Sequence, residues 1–373
     1  MTWRAAGGAV AVALLAVLLI GCAAEKPKPT PLEDYAPKTN ARVVWSQRLG
    51  TAGFPLIPAV RDGNVFVAGS DGSVLALAAA SGAVIWRAEA GDRLSAGVGS
   101  DGRFVSVVTR ANEVVTFDGG RELWRKRVPS AVVTPPLVAG ERVFVTSVDR
   151  VVHAFDALDG RRLWTLQRPG DALTLAQPGV LAPFRDTLLV GHGSRLLGVD
   201  PLRGTVRWEV PMATPRGTNE VERLADLVGP IARVGARLCV RAYQSAVGCA
   251  DPERGVALWS RNAGGINAVG ADAERVIGAD ASDRITAWRA DNGDVSWSSE
   301  RMLYRGLSGA LAIGPFVVFG DSEGYVHFLA SATGEPQLRL QTDGSAIVGT
   351  PVLAGDTLLV TTRDGGLFAF RAN

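Results

Sequence analysis

The sequence predicts an all-β chain folded as an eight-bladed β-propeller of four-stranded blades, and three observations carry that expectation. Tryptophan recurs in one frame, at Trp45, Trp86, Trp124, Trp164, Trp208, Trp259 and Trp297. Their spacing of about 40 residues is the length of a propeller blade. A glycine precedes six of these frames at a fixed offset (Gly82, Gly120, Gly160, Gly204, Gly255 and Gly293), and a seventh, Gly334, leads to Leu338 in the tryptophan position. The last unit, Thr350 to Asn373, stops after three β-rich runs, and the missing fourth stands at the other terminus in Arg42-Val43-Val44-Trp45-Ser46.

The chain opens with a leader. Arg4 gives a short positive region, and Ala9 to Ile20 is uninterruptedly apolar. That run is shorter than the roughly 20 residues a membrane-spanning helix needs, so residues 1–21 read as a signal peptide. Leu19-Ile20-Gly21-Cys22 resembles a bacterial lipobox. The resemblance implies cleavage before Cys22 and acylation of its thiol and amine, and several acyl chains suffice for stable anchoring. Ala23, rather than Asp, favours the outer membrane by analogy with sorting rules. Residues 22–41 include Pro27, Pro29, Pro31 and Pro37 among polar residues. Such a stretch tends to polyproline II, and we read it as a tether.

Residues 42–373 are the propeller. The first unit runs Pro58-Ala-Val, Asp62-Gly63, Val65-Phe66-Val67, Asp71-Gly72, Val74 to Leu77, Ser81-Gly82, then Ala83 to Trp86. These are four short strands separated by turn residues, with Asp-Gly suited to hairpins that want positive φ. No helical periodicity of useful length occurs beyond the leader. The repeated indoles are expected between neighbouring blades, where each can bury ~150–250 Å². A ring of surface-binding tryptophans is the other use for them. With one blade stitched from both termini, the ring leaves only short, protected edges.

Composition excludes several functions. In 373 residues, 39 Lys and Arg face 37 Asp and Glu, a net charge of +2. A nucleic-acid partner is not expected, because neutralising phosphates needs a basic face. Three histidines and three cysteines leave no room for a His-rich metal site or a Cys₄ zinc site. His153 and His327 fall in opposite blades, so a shared metal is not expected. No Gly-x-Ser-x-Gly elbow or glycine-rich loop leads into a helix. Cys239 and Cys249 flank a hairpin centred on Gln244, where antiparallel pairing sets them opposite each other, as Phe66 and Ala76 are in the first blade. A cross-strand disulfide and a pair of small buried thiols both fit, and an oxidising compartment permits the first.

The pattern Ala76-Leu-Ala-x-x-Ser-Gly-x-x-x-Trp86, repeated in Asp156 to Trp164 and Asp200 to Trp208, resembles the tryptophan-docking repeat of quinoprotein dehydrogenases. That repeat is shared by pyrroloquinoline-quinone enzymes and by binding proteins without a cofactor. No adjacent cysteine pair, no Cys-x-x-Cys-His and no long roofing insertions occur here. Over nearly its whole length the chain resembles instead the BamB family of outer-membrane assembly lipoproteins. The most specific segment is Gly217-Thr-Asn-Glu220-Val-Glu-Arg223-Leu224-Ala-Asp226, which matches that family's Gly-x-x-Glu-x-x-Arg-Leu-x-Asp. Leu173-Thr174-Leu175, entering blade four, matches a second. The family's Arg after the leucine pair is Ala176 here, and its second Asp is Val228.

The resemblance implies a non-enzymatic scaffold of the outer-membrane β-barrel assembly machinery. It implies lipid anchoring at Cys22 on the periplasmic face of the outer membrane, and no cofactor. The partners it implies are the periplasmic domains of the insertase BamA, other subunits of that complex, and nascent β-barrel chains along exposed strand edges. Leu173, Leu175, Glu220, Arg223, Leu224 and Asp226 would form the partner site, apolar anchors supplying desolvation and flanking charges fixing register. The leucines could instead pack in blade four's inner strand, and Arg223 with Asp226 could form a salt bridge that orders the insertion. A quinone-dependent dehydrogenase, or a relative binding a ligand in the central channel, is the alternative function.

Overall fold

The structure, a computed structural model, describes residues 27–51, 57–170 and 173–372. The leader and Cys22 lie outside the described residues. Eight antiparallel four-stranded sheets form a closed ring. Seven blades are continuous in sequence, at 59–89, 94–127, 137–166, 181–211, 227–262, 270–299 and 311–341. Blade eight takes three strands from 347–372 and its outermost strand from Ala41–Arg48, which pairs antiparallel with Gly366–Ala372. Neighbouring sheets pack face to face through hydrophobic clusters, one at each interface of the ring.

The tryptophan frame has one geometric cause. Each Trp sits on an outermost strand opposite a small residue of the third strand, for example Ala76 opposite Trp86 and Ala154 opposite Trp164. A register shift follows at once, leaving one residue such as Ile85 unpaired. A β-bulge of this kind re-aims the side chain next to it, and here it points the indole at the following blade. Blade eight repeats the device with Trp45 opposite Ala369 and Val44 unpaired, so the N-terminal strand is an ordinary outermost strand joined through space.

The glycine frame is the receptor for that indole. Trp45 donates its N–H to the Ala79 carbonyl (2.9 Å), Trp124 to Ala157 (2.9 Å), Trp164 to Pro201 (3.0 Å) and Trp297 to Ser331 (2.9 Å). In each case the acceptor lies in the turn between third and outermost strands of the next blade. Gly82 and Gly160 in those turns have φ of 70° and 69°, a region costly for residues with a Cβ. A Cβ at either position would also lie 2.6 Å from the docked ring. This explains why Leu338 replaces Trp in blade seven. Its receiving turn would be in blade eight, the one blade in which that turn is replaced by the two chain termini. Leu338 packs instead among Phe328, Phe370 and Ile347.

Cys239 and Cys249 are directly opposed and joined by a disulfide, in the register that also pairs Phe66 with Ala76. Asp321 accepts from the His327 ring nitrogen at 2.9 Å, and both are fully buried. Burial pushes the imidazoles of His153, His192 and His327 below their usual pKa. Unfolding therefore raises their affinity for protons, so stability is lost as pH falls through the unfolded imidazole value of about 6.5. Carboxylates with depressed pKa, such as Asp321, add their loss only at lower pH. We expect the melting temperature, followed by circular dichroism, to fall between pH 7.5 and 5.5. A flat profile across that window would contradict this account.

The Pro-rich segment departs from the expected tether. From Thr30 to Lys38 it lies against blade seven and the crossover that enters it, through Thr30 N–H to the Leu303 carbonyl (2.9 Å) and Lys38 N–H to the Gln337 carbonyl (2.8 Å).

Candidate partner-binding site

In each blade the crossover to the next blade and the turn between second and third strands emerge on one face of the ring. Residues 173–180 of the crossover into blade four, crossover 212–226 and the blade-three turn at Ser147–Val151 meet there, and Asp226 is their junction. Its carboxylate accepts from Arg150 (3.0 Å) and from the Leu175 backbone N–H (3.0 Å). Arg150 also donates to the Leu173 carbonyl (2.9 Å). The Asp226 carbonyl accepts from Tyr243 N–H (2.9 Å), tying the same residue to blade five. The Arg150 and Asp226 side chains are only 13% and 15% exposed, so the pair is worth more than a solvent-exposed one.

The clamp holds Leu173 and Leu175 outside the inner strand of blade four, which begins at Leu181. They are half-buried rather than fully exposed, and they form a ledge in the crossover. Beside the ledge is a cleft of about 350 Å³ lined by Leu173, Arg195, Glu220, Arg223 and Leu224. Glu220 is exposed. Arg223 does not pair with Asp226: among the described residues its guanidinium has neither ion-pair nor hydrogen-bond partner. The insertion is ordered by Glu222, which accepts from Thr218 N–H (2.7 Å) and the Asn219 amide (2.9 Å). Those bonds hold its carboxyl below the usual range.

His192, lining the same cleft, is kept neutral first by burial, then by the nearby charges of Arg150 and Arg168. Val221, between the two glutamates, is the most exposed large apolar side chain described, at 71%. Sequence reasoning passed over it, although its place inside the matched segment was visible. Arg150 was also missed. The two departures from the family pattern have different settings: Ala176 is exposed on the ledge, while Val228 is buried in blade five's inner strand opposite Arg241. Val228 therefore offers a partner no surface.

The central channel widens to a cavity of about 620 Å³, lined by the inner strands of all eight blades. Among the described residues its lining is Pro, Gly, Ala, aliphatic residues, Ser100 and two threonines, with Arg61 and Arg233 the only charged side chains and no carboxylate. Among the described residues, no three His, Cys, Asp or Glu side chains are grouped to hold a metal. This donor set does not fit a calcium–quinone pair, since calcium takes several oxygen ligands with carboxylates prominent among them.

A family profile described as "Outer membrane protein assembly factor BamB" matches residues 35–91 and 70–299. A curated protein of that name from Bordetella pertussis is 36% identical, covering 100% of this chain and 97% of its own. Another from Burkholderia pseudomallei is 34% identical, covering 97% of each. Among solved structures, BamB from Moraxella catarrhalis superposes with a TM-score of 0.80 at 22% identity, over 89% of this chain and 100% of that one. Quinohemoprotein alcohol dehydrogenase from Comamonas testosteroni shares the fold at a TM-score of 0.67 and 14% identity, over 91% of this chain and 78% of its own.

Proposed function

The chain belongs to the family of outer membrane protein assembly factor BamB, and from that premise we propose how it acts. It is a scaffold of outer-membrane protein assembly and a member of the machinery that family serves. In our reading it is non-enzymatic, anchored through acylated Cys22 on the periplasmic face of the outer membrane, and it binds the periplasmic domains of BamA through the ledge and cleft. The observation that carries the site is the Asp226–Arg150 clamp on Leu173 and Leu175. It pre-orders an apolar ledge, so binding pays little to fix the loop. Arg223 beside it, without an ion-pair partner among the described residues, suits a partner carboxylate. Exposed outermost strands, such as Val84–Glu89 with Val84 and Ile85 outward, give nascent β-barrel chains an edge to pair with.

The test is a pull-down of BamA's periplasmic region from the same organism by the detergent-solubilised protein. Leu173→Ala/Leu175→Ala and Arg223→Glu variants, checked for parental melting temperature, run beside it. We expect binding by the parent and a loss of at least about tenfold in the double leucine variant, the size of a modest hot spot. Equal binding by all three would discard the residues and keep the partner. No binding by a folded parent would discard both.

A further inference from the structure

The Pro-rich segment docks along the outer edge of blade seven, and its path changes where the N-terminal attachment leaves the ring. Thr30, between Pro29 and Pro31, has the only N–H of that triplet, and it is bonded to the Leu303 carbonyl. The Thr30 carbonyl in turn accepts from Arg305 (3.0 Å). Arg305 is itself fixed by Asp321 (2.8 Å) and by Glu323, with its side chain 3% exposed. Further along, Arg339 donates to the Glu33 carbonyl and sits over the Tyr35 ring at 5.2 Å. Lys38 then bonds the Gln337 carbonyl through its N–H and Glu335 through its ammonium (3.1 Å). Thus a buried cation, a cation–π contact and backbone pairing hold one segment at three heights of the blade.

The direction of travel follows from the topology. Leu303 and Arg305 belong to the crossover from blade six to seven. That crossover is bonded to the second–third turns of both blades, through Tyr304 N–H to Ser282 and Ser322 N–H to Arg305. Those turns lie on the face that carries the Asp226 clamp. Glu335 lies in the third–outermost turn, on the far face, and Ala41 begins its pairing with Ala372 at that same far end. The docked segment therefore carries the chain from the far face, where the first strand starts, back to the face with the contact loops.

We propose that Thr30–Lys38 is a strap on blade seven that brings the N-terminal lipid attachment out of the face bearing Leu173, Leu175 and Asp226, so that this face is held toward the membrane. The proposal rests on the anchor reading at Cys22. With the segment docked, Cys22 is bound to lie within about 28 Å of Thr30; undocked, the stretch to Ala41 would reach about 65 Å from the opposite face. The strap also covers the edge of Pro336–Gln341, which would otherwise invite strand pairing.

Two measurements on the full mature chain test this. Hydrogen exchange of the detergent-solubilised protein should show the 30–38 segment slowed about tenfold or more against a free peptide of that sequence. The protection should be lost in a Tyr35→Ala/Arg339→Ala variant whose melting temperature is parental. Exchange as fast as the free peptide overturns the strap. Second, the protein is anchored on phosphatidylethanolamine–phosphatidylglycerol vesicles carrying a surface acceptor dye. A donor dye is placed at Arg216→Cys on the contact-loop face or Leu158→Cys on the far face, both positions exposed. Stronger energy transfer from position 216, with the difference lost in the undocked variant, supports the proposal. Stronger transfer from position 158, or no change on undocking, overturns it. Failure of the parent to float with vesicles while 30–38 stays protected overturns the anchor reading and the membrane-facing claim together, and separates them from the docking.

Discussion

Deletion of Ala41–Arg48 is expected to leave no folded ring. The strand closes blade eight over its whole length, from Ala41 opposite Ala372 to Arg48 opposite Gly366. It also delivers Trp45 to blade one, where the indole is 8% exposed, bonded to Ala79 and packed among Val65, Leu75, Leu77 and Leu367. Truncating a buried Trp to Ala alone costs about 3–5 kcal/mol. A domain commonly has about 5–15 kcal/mol in total, and the deletion adds a lost ladder and an uncovered edge at Gly366–Ala372. We expect the deleted protein to aggregate or to show no cooperative melt by circular dichroism. Trp45→Ala should stay folded with a clearly lowered melting temperature. A deletion variant that melts cooperatively within a few degrees of the parent would disprove closure by this strand.

The second large effect is on binding. Asp226→Asn should weaken the proposed BamA interaction by about ten- to a hundredfold, the range of one to two hot-spot side chains. Arg150→Ala should do the same. The carboxylate accepts from Arg150 and from Leu175 N–H at once, and Arg150 steadies the Leu173 carbonyl. An amide keeps one acceptor oxygen and no charge, so one tie is lost and Arg150 is left without its counter-ion in a poorly solvated place. The paired variants separate two roles. If Asp226 works by touching the partner, Arg150→Ala leaves affinity nearly intact. If Asp226 positions the ledge, both variants lose affinity alike, and isothermal titration calorimetry reads the difference.

Most of the fold was legible because its repeating contact uses two unusual residues. An indole that must dock and a glycine that must take positive φ beneath it leave a pattern in any single sequence. The cysteine register was legible for the same reason, since each blade repeats the offsets of the first. The clamp was not. Arg150 and Asp226 are 76 positions apart, and Asp226 has Arg223 within its own segment, the nearer partner that local reasoning selects. The docking of Thr30–Lys38 was equally hidden. Its composition is that of a tether, and its partners Arg305 and Arg339 are distant arginines with nothing local to mark them. Leu338 was visible as an exception, but its reason required the ring.

The through-space completion of blade eight also fixes an order of events in the life of the chain. Ala41–Arg48 is the first strand of the ring to leave the ribosome, while its partner Gly366–Ala372 is the last. Every other blade can form as its own residues emerge, since its four strands are consecutive. The first strand alone must wait, unpaired, for the whole of synthesis. Pairing so remote in sequence is intrinsically slow to form, and an unpaired strand is open to wrong partners. Arg42, Gln47 and Arg48 within it suit that interval, because charged and polar residues on a bare strand discourage premature association.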